Sequence, residues 1–375
     1  MQPLSGIRVI EFCQIAAGPF AGMLLADQGA DVIKVESPEG DGMRGWPPHT
    51  AGYSENFASL NRNKRSVVLN LKNGADLAAA RKLCLSADVV LENFRPGVMQ
   101  RLGLGYDALA GGKPSLVYCS ISAFGQEGPR AQEGGFDVTL QAIGGVMSVT
   151  GEPDGAPVKC GVPLTDFAAG LYAAYAVATA LREVARNGRG ARLDVPMLGT
   201  TLAIAALQTS EYFGNGRDPV KLGSAHPRNA PYQAFRCKDG YFVMAAGNDD
   251  LFRRACEGIG RPDLAVDARF ASTALRAQNQ TALKELWEAE CARWTSEECL
   301  AIMRKQGVPC APINRYSHAL ADPQVAHYGW VQPLALPGGA QTRTFVSPLG
   351  RPPALGRRPP ALGEHTEEVL QEVNR

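Results

Sequence analysis

What most constrains this chain is a repeated alternation of short apolar strands and helices in its first half. Residues 7–12 read as a buried strand, followed by a short loop at 13–18. Pro19 suits a first helical position, and the helix carries Met23, Leu24 and Leu25 to a stop at Gly29. Residues 31–36 form the next strand. A strand, helix and strand joined this tightly give a parallel pair with a right-handed crossover. The pattern recurs: a basic turn runs into a strand within 61–72, a helix spans 77–85, and strands lie at 88–92 and 116–121. The fold expected is α/β, with a large, doubly wound, Rossmann-like domain. In such sheets ligands bind beyond the carboxyl ends of the strands. The loops at Gln14, Arg44, Lys72 and Asn93 begin at or near such ends. The first loop has one glycine, Gly18, where a dinucleotide site wants three, so a nicotinamide cofactor is disfavoured.

Residues 136–149 predict a helix interrupted at Gly144 and Gly145. An Ala-rich run begins at Phe167 and meets no charge until Arg182; it reads as a helix apolar on every face and therefore buried. A strand at 191–195 and a helix at 198–212 complete a large domain over 1–213. Polar, glycine-rich residues 214–229 read as a linker. A smaller α+β domain, 230–315, opens with a hairpin at 232–245 turning on Lys238-Asp239-Gly240. Helices near 249–259, 281–294 and 296–306 follow, the last with a capping box in Thr295 and Glu298, and then a strand at 308–313. Residues 316–375 form a Pro- and Gly-rich return segment.

The formal net charge of +1 gives no electrostatic case for nucleic acid or a membrane surface. Nine scattered cysteines, an odd number with no C-x-x-C pair, fit reduced thiols in a cytoplasmic protein. Five dispersed histidines support no metal centre. The N-terminus lacks the basic and apolar layout of a signal peptide.

The candidate for chemistry is Asp166, at the foot of the Ala-rich helix. Unpaired N–H groups and the helix dipole favour a carboxylate there. Asp166 or Thr165 as a helix cap is the plain alternative to a nucleophile. Lys64, Arg65, Lys72, Arg95 and Arg101 lie near strand ends. Singly they read as solvated surface charge; together they suit the phosphates of a ligand. Asn93-Phe94-Arg95-Pro96-Gly97 is either a tight turn or a donor, an aromatic face and a guanidinium offered to an adenine or phosphate. Gly247-Asn248-Asp249 has a plain reading as a helix start.

These pieces resemble the family III CoA-transferases, the group that includes formyl-CoA transferase, carnitine CoA-transferases and the related alpha-methylacyl-CoA racemase. The resemblance is carried by Val9-Ile10-Glu11 through Pro19, Gly29-Ala30-Asp31-Val32-Ile33-Lys34-Val35-Glu36, Asn61-Arg62-Asn63-Lys64-Arg65-Ser66, Glu92 to Gly97, Phe124-Gly125-Gln126-Glu127-Gly128-Pro129, Gly161 to Gly170, and Gly363-Glu364-His365-Thr366. It implies that Asp166 is catalytic. It implies coenzyme A contacts from Ile15, Ala16, Leu69, Lys72, Asn93, Phe94, Arg101 and Met197, with Arg95 beside them. It further implies an oxyanion or substrate pocket drawing on Gln14, Ala17, Phe136, Gly247 and Asn248. Acyl-CoA is then a substrate and no cofactor is held permanently. The resemblance also implies a homodimer of interlocked rings.

Two departures qualify the match. Ser37 stands where formyl-CoA transferase has an Arg, and Ala245-Ala246-Gly247-Asn248 replaces its glycine run, so oxalate and formate specificity is unsupported. In the racemases a His precedes an Asp as one of two bases. Here the residues are Gly135-Phe136-Asp137, and Phe carries no proton. The sequence therefore favours an acyl-CoA:carboxylate CoA-transferase, with succinyl-CoA or another short dicarboxylyl-CoA as donor. A racemase, or a CoA-binding protein without activity, is the alternative.

Overall fold

The structure, a computed structural model, describes residues 2–349 and 355–374. The chain forms two compact units. One comprises residues 1–146, 159–217 and 323–375; the other comprises 147–158 and 218–322.

The first unit is built on a six-stranded sheet. Its strands are β1 (Arg8–Phe12), β2 (Asp31–Glu36), β3 (Arg65–Val68), β4 (Val89–Glu92), β5 (Val117–Ser122) and β6 (Ala191–Pro196). They lie in the order β3-β2-β1-β4-β5-β6, every neighbouring pair parallel. This is the strand order of a Rossmann-type sheet, reversing direction of progress between β1 and β4. The central strands are near-continuous apolar runs because helices cover both faces. Val9 of β1 pairs in register with Val32 and Val89, and all three are fully buried.

One face is covered by α1 (Ala17–Asp27) and α2 (Leu164–Asn187). Their packing is close because small residues meet: Ala17 and Ala21 share a core with Ala169, Ala173 and Val177. A Cβ on Gly170 would lie 2.7 Å from the Ala17 carbonyl oxygen, so only glycine permits this crossing. α1 begins at Ala17, two residues before Pro19, which leaves the proline harmlessly in the first turn.

α2 corrects one expectation. By length and composition it passes as a membrane-spanning helix. It is not buried all round: Leu171, Tyr172 and Tyr175 on its other face are 55%, 40% and 68% exposed. The expected helix at 198–212 is two, α3 (Met197–Ile204) and α4 (Ala206–Asn215), broken at Ala205. That at 136–149 is likewise two, Asp137–Ile143 and Val146–Val149, parted at the glycine pair, where Gly145 has φ +80°.

Lys64 and Arg65 are a second correction: they are neither solvated nor free for phosphate. Lys64 is fully buried, 2.8 Å from the Glu11 carboxylate. Arg65 is 3% exposed and pairs with Asp31 at 2.5 Å and Glu372 at 2.7 Å. Glu372 belongs to the C-terminal helix Thr366–Glu372, which docks beside β3, where the His365 N–H donates to the Ser66 carbonyl at 2.9 Å.

The second unit holds a three-stranded antiparallel sheet of Tyr232–Cys237, Gly240–Ala245 and Cys310–Pro312. Helices Asp249–Gly258, Gln280–Cys291 and Ser296–Lys305 cover it, around Phe235, Phe242 and Trp287. Thr295 and Glu298 form the capping box expected of them. All nine cysteines are free thiols.

Candidate active site

β1 and β4 are neighbours at the sheet's reversal point, and beyond their carboxyl ends the chain opens a cleft of about 290 Å³. Residues 14–17 form one wall and residues 93–96 another. Ser122 and Ala123 at the end of β5, Glu133 to Phe136, Met197 and Asp166 complete it.

Asp166 sits in the first turn of α2, half-buried. It is not the cap of its helix. That task falls to Asp137, whose Oδ1 accepts from both the Thr165 N–H and its hydroxyl, each at 2.9 Å. Gln141 holds the other Asp137 oxygen at 2.8 Å. Asp166 is left facing the cleft, with Phe167 beside it packed on Phe20 of α1 at a ring distance of 4.7 Å. Burial, and then the Asp137 charge, push its carboxyl up to about 6. Such a carboxylate is ionised at neutral pH and poorly solvated, which favours nucleophilic attack.

The wall at 14–17 is held from both sides. Asn93 brackets Gln14, accepting from its N–H at 2.9 Å and donating to its carbonyl at 3.0 Å. The Asn93 turn is itself braced by Glu92, which accepts from the Phe94 N–H at 2.9 Å. Glu92 is pushed up to about 7, chiefly by burial. Ala16 and Ala17 open α1, so their N–H groups have no intrahelical acceptor.

Of the residues singled out in the sequence, Gln14, Ile15, Ala16, Ala17, Asn93, Phe94, Arg95, Phe136, Asp166 and Met197 line this one cleft. Leu69 and Lys72 line a second cavity of about 270 Å³, which also touches Ser37, Gln14 and Phe94. Arg101 ends the short helix Val98–Arg101 and lines neither. Gly247 and Asn248 belong to the second unit; Asn248 accepts from the Leu251 N–H at 2.8 Å and starts the helix there. Glu133, Gly134 and Asp137 were not singled out as site residues; nothing in the local pattern marks the first two, and Asp137 was noted only as the residue after Phe136 in the comparison with the racemases.

The profile of CoA-transferase family III matches residues 4–366. The chain belongs to CoA-transferase family III. The transferase is 40% identical to the succinate–glutarate CoA-transferase of Agrobacterium fabrum, over 99% of this chain and 96% of that one. It is 35% identical to the human succinyl-CoA:glutarate CoA-transferase, over 100% and 87% of the two chains. With the succinyl-CoA:mesaconate CoA-transferase of Haloarcula marismortui it shares 36%, over 100% and 97%. Among solved structures, a CAIB/BAIF family protein from Brucella suis superposes with a TM-score of 0.88 at 38% identity, covering 99% of both chains. The protein is thus an enzyme that uses CoA thioesters as substrates.

The raised Asp166 carboxyl gives two expected pH dependences, one of turnover and one of stability. If the ionised form attacks, turnover rises by about tenfold per pH unit up to about 6 and then levels off. Stability runs the other way. With its folded value above the ordinary 3.8, Asp166 favours the fold at low pH, and that contribution is lost as pH rises through about 6. Asp166→Asn should therefore melt at a higher temperature than the parent at pH 8 and at the same temperature near pH 4. Calorimetry at the two pH values checks this, and a gain of equal size at both would contradict it.

Proposed function

We propose that the transferase moves CoA from a short dicarboxylyl-CoA to an acceptor carboxylic acid through covalent intermediates on Asp166. The single observation that carries this is a half-buried carboxylate of raised pKa in a cleft at the sheet's reversal point, beside the open N–H groups of α1. The three relatives named above, each with a dicarboxylic acid in its name, support the substrate class.

An Asp166 oxygen attacks the donor thioester carbonyl. The C–S bond breaks, leaving a mixed anhydride and CoA thiolate. The thiolate attacks the Asp166 acyl carbon and releases the donor acid, so CoA is held as an aspartyl thioester. The acceptor carboxylate attacks that thioester and forms a second anhydride. The freed thiolate then takes the acceptor acyl group and restores Asp166. No proton is gained or lost overall, and no thioester energy goes to water. Each attack builds an oxyanion, for which the proposed donors are the N–H groups of Ala16 and Ala17, which line the cleft and have no intrahelical acceptor. The nucleotide end of CoA is assigned to the second cavity, with Lys72 as its cation and Phe94 between the two spaces. Ser37 there supplies no guanidinium.

The functional unit is proposed to be an interlocked homodimer in the cytoplasm. Supporting the dimer, α2, α3 and α4 leave Leu171, Tyr175, Leu202, Leu207 and Phe213 exposed, the last at 82%. A sedimentation mass of one chain at micromolar concentration would oppose it.

The test of the reading is a panel of acyl-CoA donors against free carboxylic acids, with product masses recorded. Succinyl- and glutaryl-CoA should exchange CoA with dicarboxylates. A 2-methylacyl-CoA should take up no solvent deuterium at its α-carbon, because Phe136 stands at the second base position and none of the described residues lining the cleft is a histidine. Deuterium incorporation faster than CoA transfer would decide for a racemase.

A further inference from the structure

Behind the cleft, outside its lining, lies a buried charge network. Glu11, Lys34 and Lys64 are fully buried and Asp41 is 2% exposed. Lys34 Nζ lies 3.3 Å from Glu11 and 2.9 Å from Asp41, and donates to the Cys13 carbonyl at 2.6 Å. Lys64 pairs with the other Glu11 oxygen at 2.8 Å and donates to the Pro19 carbonyl at the same distance. α1 passes directly over the network: a Cβ on Gly22 would lie 1.8 Å from Glu11 Oε2. Burial works against Lys34, Lys64 and Asp41; it leaves Lys64 below its ordinary range, yet the opposing carboxylates hold Lys34 above its own. Lys34 and the N–H groups of Met43 and Ile15 hold Asp41 below its own.

The network ends on a strained residue. Ile15 has φ +66°, a left-handed conformation that a β-branched side chain rarely adopts. Its N–H donates to both Asp41 oxygens, at 3.1 and 3.2 Å, and its side chain packs with Met43 and Phe57. The next two residues are Ala16 and Ala17, which line the cleft and whose N–H groups are the oxyanion donors of the proposed mechanism. A relaxed Ile15 turns both of them.

We propose that Asp41 is a positioning residue: through the Ile15 N–H it clamps the loop between β1 and α1 in its strained form and so aims the Ala16 and Ala17 donors. This rests on the reading of Asp166 and that loop given above. Lys34 serves the clamp twice, by holding the Asp41 carboxylate and by fixing the Cys13 carbonyl. A carboxylate that only balanced buried Lys34 would need no bond to Ile15.

The test is a cycle. Asp41→Ala, which removes the acceptor of the Ile15 N–H, should lower kcat by about tenfold or more, within the range for a misplaced oxyanion donor, and change KM for acyl-CoA less than kcat. Glycine adopts positive φ without strain. In an Ile15→Gly background the same Asp41→Ala change should therefore lower kcat by less than about threefold. Equal losses in both backgrounds would show that Asp41 acts by charge balance alone and overturn the proposal. A second readout needs no activity. Amide exchange in the 13–17 segment should quicken by about tenfold in Asp41→Ala, and unchanged exchange would overturn the clamp. It decides the matter even if the parent enzyme transfers no CoA, an outcome that would sink the transferase mechanism separately. Should the variant fail to fold, the parent decides: the Ile15 amide must exchange about tenfold more slowly than that of Ala16, and equal rates refute the clamp.

Discussion

Replacing Asp166 with Ala is expected to lower CoA transfer by at least about a thousandfold, while CoA itself binds within a few-fold of the parent. In the proposed mechanism every covalent step runs through this one carboxylate, and no other side chain of the cleft takes its place. Glu133 lines the same cleft but pairs with Arg130 at 2.6 Å, which ties its charge elsewhere. The Asp166→Ala change removes no cap, because Asp137 still holds Thr165 at the start of α2, so the variant is expected to fold. Initial rates with a dicarboxylyl-CoA, beside calorimetric titration with CoA, check both halves. A residual rate above about a hundredth of the parent would contradict a nucleophilic Asp166.

Replacing Glu11 with Leu is expected to destabilise the fold by about 3–5 kcal/mol, more than any substitution above. Among the described residues Glu11 is the only anion paired with Lys64 and one of two paired with Lys34, and all three side chains are fully buried. Without it Lys64 is left as an uncompensated buried charge with only carbonyl and amide acceptors, Pro19 and Asn61. Denaturant melts of parent and variant measure the loss; a change below about 1 kcal/mol would show that water reaches this network.

This network escaped the sequence for a physical reason. Lys64 and Arg65 follow Asn61-Arg62-Asn63, a stretch whose composition reads as a solvated turn. Their partners Glu11 and Asp31 lie on strands far back in the chain, so only the sheet order reveals that the charges point inward. Asp41 sits between two glycines, where loop polarity explains any acid. By contrast the central strands were legible, because doubly covered parallel strands are near-continuous apolar runs and each ended at a recognisable loop. α2 was legible as a helix but not in its exposure. An Ala-rich stretch carries too little periodicity to say which face meets the sheet, and Tyr172 and Tyr175 look like core residues until the structure leaves them outside.

The cleft was readable in part for a related reason. The loops after β1 and β4 had to meet wherever those strands are neighbours, which brought Gln14 to Ala17 against Asn93 to Arg95. Asp166 and Met197 join them from much later in the chain, a convergence visible in the sequence only through resemblance to a family. Asp137 was marked only as the Asp after Phe136 in the comparison with the racemases; its part in capping the Asp166 helix had no signal, because its partner Thr165 is 28 residues away.

Covalent catalysis by Asp166 is tested most directly by loading the enzyme with succinyl-CoA in the absence of an acceptor, quenching, and mapping the adduct by mass spectrometry. A hydroxylamine-labile CoA or acyl adduct is predicted on the peptide containing Asp166, absent from Asp166→Ala. An adduct on one of the cysteines, or the same label on Asp166→Ala, would contradict it.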